Sequence, residues 1–251
     1  MPQTTVVMPT YNEAENLPLM LDALLALPVD LHVLVVDDNS PDGTGEIADR
    51  FATEHPTQIA VLHRKEKGGL GPAYLAGFKR AIEMGADYLI QMDADFSHQP
   101  KYIPEMIAKI NEGTCDTVIG SRWTRGGGVD ESWSVGRKLL SWFANGVYVR
   151  TLLGLPVRDA TGGFRLWKRE TLRGMGLERV RSNGYVFQVE ITYIAYRLGY
   201  KFAEIPIYFP DRERGQSKMG SRIIIEAALR VWQVLLRHHS LNPQMRLAET
   251  P

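Results

Sequence analysis

Short apolar runs alternate with longer amphipathic stretches through the first half of the chain. The runs are "TTVVMP", "LHVLVVDD", "QIAVLHR", "ADYLIQMD" and "CDTVIGS". Their near-continuous apolar character predicts strands buried on both faces, as in a mainly parallel sheet. Between them lie "EAENLPLMLDALLAL", "SPDGTGEIADRFATEH", "GPAYLAGFKRAIEMG" and "PKYIPEMIAKINEG", which have helical spacing. Asn12 is the expected N-cap of the first helix, Pro72 suits the first turn of the third, and Gly85 suits its stop. The alternation predicts an α/β fold with a central sheet flanked by helices.

The second half is less regular. "RGGGVDESW" (125–133) reads as a mobile glycine-rich loop, and a helix is expected from about Arg137 to Leu153. "TGGFRLWKRE" reads as a strand entering a helix, and "FQVEITYIAYRLG" as a helix. "KFAEIPIYF" reads as a strand pushed to a sheet edge by Pro206. "DRERGQSKMG" reads as a polar loop. The C-terminal stretch "IIIEAALRVWQVLLRHH" carries its polar residues Glu226, Arg230, Gln233 and Arg237 on one narrow stripe. Such an amphipathic helix is buried on more than one side or lies against lipid or a partner. "RKLLSWFANGVYVRTLL" mixes basic, aromatic and apolar residues as an interfacial helix does.

Composition narrows the possibilities. The 251 residues balance 29 basic against 29 acidic side chains, which disfavours bulk attraction to nucleic acid. Cys115 is the single cysteine, so an internal disulfide and a four-cysteine zinc site are excluded. The lone cysteine fits a reducing compartment, no basic leader precedes an apolar stretch at the N-terminus, and no apolar run reaches the length of a bilayer span.

In sheets of this kind ligands bind beyond the carboxyl ends of the strands. Those ends are Pro9-Thr10-Tyr11, Asp37-Asp38, Asp93-Ala94-Asp95 and Gly120-Ser121-Arg122, which should meet on one rim. If Asp93 and Asp95 lie along the strand, they share a face. Two carboxylates there suit a hard dication, Mg²⁺ or Mn²⁺, that bridges to a diphosphate; a solvent-facing turn is the plain alternative. Asp42 and Thr44 are explained by turn and cap chemistry, which leaves Asp37 or Asp38 for a nucleotide base or ribose. Arg122, Arg137, Arg212, Arg214 and Lys218 are the cationic candidates for phosphate, the last three in a loop that could close as a lid. His98 suits a supporting or a structural role equally. "KGGLGP" is no dinucleotide fingerprint, and no Gly-x-Ser-x-Gly elbow or phosphate loop is present.

Six segments in order, "VVMPTYNEAENL", "VVDDNSPDGT", "MDADFSHQP", "IGSRW", "DATGGFRLWKRE" and "RERGQSKM", resemble the inverting family 2 glycosyltransferases. Within that family the resemblance is to the polyprenyl (dolichyl) phosphate mannose synthases that lack a membrane-spanning tail, and it covers about residues 4 to 225. It implies a GT-A, Rossmann-like domain over 1–240. The nucleotide-binding half would be about 1–122, the acceptor-side half about 123–240, and a flexible tail would follow at 241–251. It implies GDP-mannose as donor, a polyprenyl phosphate lipid as acceptor and a metal-dependent transfer giving a β-linked product. Pro9, Tyr11, Glu13, Val36 and Asp38 would line the nucleotide pocket. Asp93, Ala94 and Asp95 would hold the metal and diphosphate. Arg122 would sit where the donor and acceptor phosphates meet, and Arg137 and Ser141 would hold the acceptor phosphate. Arg212 and Lys218 would close onto the donor. Ser97 stands where some relatives carry a glutamine near the metal. The expected setting is the cytoplasmic face of a membrane, peripherally bound or recruited by a membrane-protein anchor. A UDP-glucose-dependent relative and a non-catalytic nucleotide-sugar-binding module are the competing readings.

Overall fold

The computed structural model describes residues 2–211 and 221–248, with the backbone only for residue 185 and for 221–227. A seven-stranded sheet runs in the order β3-β2-β1-β4-β7-β5-β8. Its strands are β1 (Thr4–Thr10), β2 (His32–Asp37), β3 (Ile59–His63), β4 (Tyr88–Gln91), β5 (Thr117–Ser121), β7 (Arg165–Lys168) and β8 (Phe202–Pro206). Crossover helices α1 (Leu17–Leu25), α2 (Thr44–Glu54), α3 (Leu70–Glu83) and α4 (Ile103–Asn111) join the first five. All five apolar runs are strands. The edge expected from Pro206 is real, since β8 is the last strand of the sheet.

Period-two alternation divides each strand between two cores. Val6, Met8, Val33 and Val35 pack under α1, α2 and α4. Val7, Leu34 and Val36 face the other way, against α3 and the helices α7 (Arg169–Met175) and α8 (Tyr185–Arg197). Gly77 lets α3 lie close to the sheet: a Cβ there would stand 2.4 Å from Val7 Cγ1 and 2.9 Å from Val36 Cγ2.

Strand β7 is antiparallel to both neighbours, with Gln91 and Ile119 opposite Arg165. Its first residue therefore lies at the rim where β4 and β5 end. That reversal delivers residues 159–164 to the same rim.

Several expectations change. Asn12 is not the cap of α1. It has a left-handed backbone (φ 61°) and donates its N–H to Ser40 Oγ, and α1 begins at Leu17. The 125–133 stretch, read as a mobile loop, contains β6 (Gly128–Val129), which pairs with β9 (Tyr208–Phe209). Of the tail expected to be flexible over 241–251, residues 249–251 lie outside the described residues, and 241–248 are tied to the body. Leu241 is buried, Leu247 N–H donates to Gly174 O at 2.8 Å, and Arg246 Nε donates to Leu198 O at 2.7 Å. Those anchors sit far away in sequence, so local polarity could not reveal them.

The expected 137–153 helix is continuous but mixed: α5 (Val135–Trp142), a π-helical stretch Phe143–Val149, and α6 (Arg150–Leu153). No residue of α5 is buried. The C-terminal helix α9 (Ser221–His238) packs Val231, Val234 and His238 inward and leaves Leu229, Trp232 and Leu236 exposed. No helix among the described residues is long and apolar enough to cross a membrane.

Candidate active site

The loops after β1, β2 and β4 each contain a non-glycine residue with positive φ: Asn12, Asn39 and Phe96. Left-handed backbone is costly for such residues and concentrates where side chains must be aimed. All three flank the rim.

The acid pair lies just past β4, which ends at Gln91. Asp93 and Asp95 therefore belong to a turn, and the shared-face argument from strand geometry does not apply to them. The turn is held from several sides. Tyr74, buried on α3, donates its hydroxyl to Asp93 Oδ1 at 2.7 Å. Asp93 N–H donates to His98 Nδ1 at 3.0 Å. Ser97 donates its backbone N–H (3.1 Å) and its hydroxyl (2.5 Å) to Asp95 Oδ1. Burial, with the charge and hydrogen bond of Asp93 adding to it, pushes the Tyr74 phenol well above its ordinary value and keeps it a donor. Burial pushes His98 below the usual imidazole value, against the opposing pull of Asp93 and Asp95. His98 is thus a neutral ring whose Nδ1 accepts, and it supports the turn rather than balancing its charge. It stacks on Phe164 at 5.2 Å, and Gly163 makes room for it: a Cβ there would lie 3.0 Å from His98 Cε1.

Among the described residues Asp93 forms no ion pair with lysine or arginine, and no three His, Cys, Asp or Glu residues cluster as a complete metal cage. Hard carboxylate oxygens from two residues, with about a third of the Asp93 side chain exposed, fit a dication that takes its remaining ligands from phosphate and water.

The two acids after β2 have separate tasks. Asp37 accepts from Thr10 Oγ1 and from both the N–H and hydroxyl of Ser40, which fixes the turn. Asp38 is buried and paired with Arg64, and its Oδ2 accepts the N–H groups of Gly68 (3.1 Å) and Gly69 (3.2 Å). The structure thus wraps the "KGGLGP" loop around Asp38. Asn183 closes that loop from the far side, donating to Gly68 O at 2.9 Å and accepting from Gly71 N–H at 3.1 Å. Lys67, overlooked in the sequence, lies over the Tyr11 ring at 3.5 Å. Val36 is buried beneath the rim, Pro9 pairs with it across β1 and β2, and Glu13 N–H donates to Thr44 Oγ1.

Arg122 is anchored by a residue that was not singled out among the site candidates. Asp159, fully buried, accepts from Arg122 Nε at 2.7 Å, Nη2 at 2.6 Å and the backbone N–H at 2.9 Å. Burial works against both charges, but each more than offsets it in the other: the Arg122 pKa is raised and that of Asp159 lowered. Arg165, also fully buried, donates to the carbonyls of Ala160 and Gly162 and sets the loop that carries Asp159. Its burial outweighs the pull of Asp159 and Glu204 and lowers its pKa to about 10. Thr161 accepts from Arg122 Nη2 and gives its N–H to Asn145, whose amide donates to Ser141 O. Ser141 and Arg122 thus belong to one connected side of the rim. Arg137 lies over the Trp133 ring and reaches Asp211 at 3.3 Å. Arg212, Arg214 and Lys218 lie outside the described residues.

The acid turn, the Asp38 loop and Arg122 thus surround one rim, as the strand ends implied. A groove lined by Asp87, Asp116, Glu170 and Arg246 lies at the opposite end of the sheet, where the C-terminal segment packs.

A family model described as Glycosyl transferase family 2 matches residues 5–176. An undecaprenyl-phosphate mannosyltransferase of Micrococcus luteus is 45% identical over 243 residues, covering 96% of this chain and 98% of that protein. A polyprenol monophosphomannose synthase of Mycolicibacterium smegmatis is 44% identical, covering 91% and 85%. The crystal structure of glucosyl-3-phosphoglycerate synthase from Mycobacterium tuberculosis, in complex with Mn²⁺, UDP-glucose and glycerol 3-phosphate, matches with a TM-score of 0.60 at 19% identity, covering 95% of this chain and 80% of that one. That likeness is one of fold, and the fold is GT-A. The rim, the strand order and the near-full-length relatives agree: the chain belongs to glycosyl transferase family 2.

Proposed function

We propose that this protein transfers mannose from GDP-mannose to a polyprenyl phosphate, with inversion, giving a β-linked polyprenyl phosphate mannose. The observation that carries this reading is the placement of the acid turn and Arg122 on one rim, in a chain whose relatives are named for mannosyl transfer to such lipids. Pro9, Tyr11, Glu13, Val36 and Asp38 would shape the nucleotide side, with Lys67 beside Tyr11. Asp93 and Asp95, flanking Ala94, would hold Mg²⁺ or Mn²⁺, which when bound neutralises charge on the donor diphosphate. Arg122, Arg137 and Ser141 would receive the acceptor phosphate. Arg212 and Lys218 would complete the donor side.

The protein's own residues then align rather than deprotonate. A phosphate monoester is anionic near neutral pH, so its oxygen attacks the anomeric carbon without a strong base. His98 matches that picture, because its Nδ1 is already occupied by the Asp93 N–H. The acceptor's long chain calls for a peripheral position at a membrane, at its cytoplasmic face or on a membrane-protein anchor. Leu139, Leu140, Trp142 and Phe143, with Leu229, Trp232 and Leu236, offer an apolar surface for it. Tyr148 ties the two elements together by donating its hydroxyl to Ala228 O.

The test is incubation of the purified protein with radiolabelled GDP-mannose, undecaprenyl phosphate and Mg²⁺ or Mn²⁺, followed by solvent extraction. Label should enter the lipid phase, and Asp95→Ala should abolish it while the fold persists by circular dichroism. Transfer from UDP-glucose in preference to GDP-mannose, or full activity in chelator, would overturn the reading.

A further inference from the structure

Two aromatic rings beside the acceptor cations have no part in the reading above. Trp133 and Phe209 meet edge to face, with centroids 6.0 Å apart and planes at 78°. Arg137 lies over the Trp133 ring, 3.6 Å from its centroid, and Arg122 lies over the Phe209 ring at 5.2 Å. Phe209 also meets the edge of His98 at 5.9 Å, the ring that holds the Asp93 turn. Trp133 is only 6% exposed, and its buried indole N–H has no hydrogen-bond partner among the described residues. A buried tryptophan usually pairs that N–H, so its place here is not explained by a hydrogen bond. What the ring does offer is a face.

An aromatic face orients a guanidinium without neutralising it. Arg137 donates Nη1 to the Asp211 carboxylate at 3.3 Å, a solvent-exposed contact of the weak kind that a phosphate can replace, while its face stays on Trp133. Arg122 is already oriented by Asp159 and depends less on its ring.

We propose that Trp133 and Phe209 form a continuous aromatic shelf that presents Arg137 and Arg122 to the acceptor's phosphate, with Trp133 as the principal positioning residue for that headgroup. The inference rests on the reading of Arg122 and Arg137 as acceptor-phosphate ligands. It assigns recognition of the charged headgroup, as distinct from the lipid chain, to the β6–β9 ribbon and the turn that follows β6.

The experiment compares Trp133→Leu and Trp133→Phe in the full chain, with saturating GDP-mannose. Two acceptors are used: undecaprenyl phosphate in detergent, and water-soluble citronellyl phosphate. Trp133→Leu should raise KM for both acceptors by about three- to thirtyfold. KM for GDP-mannose, and kcat at saturating acceptor, should stay within about twofold. Trp133→Phe should recover most of the loss, and Trp133→Leu should add little in an Arg137→Ala background. The shelf is overturned, with the acceptor reading intact, if Arg137→Ala raises acceptor KM but Trp133→Leu does not. Equal impairment of the Leu and Phe variants, or an effect confined to the long-chain acceptor, would do the same. If Arg137→Ala leaves acceptor KM unchanged, the acceptor reading itself falls. Should Trp133→Leu fail to fold by circular dichroism, Phe209→Leu tests the Arg122 end of the shelf, with a smaller rise in acceptor KM expected and no rise counting against it.

Discussion

Substituting Asp159 by asparagine should destabilise the protein far more than its near-identical shape suggests. The carboxylate accepts two side-chain bonds and one backbone bond from Arg122, and a further bond from Gly162 N–H at 3.0 Å. Asp159 is fully enclosed, and the Arg122 side chain is only 11% exposed. Asparagine keeps a carbonyl oxygen for some of these donors but removes the charge, leaving a buried guanidinium uncompensated. Breaking one half of a buried pair in this way costs about 3–5 kcal/mol. Removing both charges, in Arg122→Met with Asp159→Asn, should cost less than the sum of the single changes by about 2 kcal/mol. Urea unfolding followed by circular dichroism measures all three differences. A single-variant cost below about 1 kcal/mol, or strict additivity in the double variant, would refute the claim that this pair is what sets Arg122 in place.

Three other outcomes are expected. Glu190, fully buried on α8, accepts from Arg237, His238 and the N–H groups of Arg181 and Ser182; these outweigh burial and lower its pKa to about 2 from 4.5. Its folded pKa is depressed, so its contribution of about 3 kcal/mol is present above pH 4.5 and fades as pH falls toward about 2. Unfolding free energies of Glu190→Gln and the parent should therefore converge in that window, and a constant gap would contradict the linkage. Gly77→Ala should cost about 1–3 kcal/mol in chemical unfolding, because its methyl meets the Val7 and Val36 side chains. Tyr74→Phe removes the hydroxyl that holds Asp93 and should lower kcat/KM by about tenfold, measured by label transfer, with unchanged acceptor KM.

The layered α/β architecture was legible in the order of residues. Each of the five apolar runs is too short and too continuous for a surface helix, so burial on both faces was dictated by composition alone. The same logic placed the acids and Arg122 at one rim, because parallel strands deliver their carboxyl ends to the same edge. The ordered motifs, from "VVMPTYNE" to "DATGGFRLW", carried the family. Which residues stand beside one another was settled by packing. Strand β7 has an apolar pattern that reads equally well in either direction, so its reversal, which brings Asp159 to Arg122, left no local signal. Asn183 and Gly68 are 115 positions apart, and Tyr74 and Asp93 join α3 to the turn after β4. Trp133 and Phe209 meet only because β6 pairs with β9, two residues against two. Periodicity reports which face of an element is buried; it does not encode the partner from a distant segment that orients a charge there. That choice is made by packing and hydrogen-bond satisfaction once the sheet has closed.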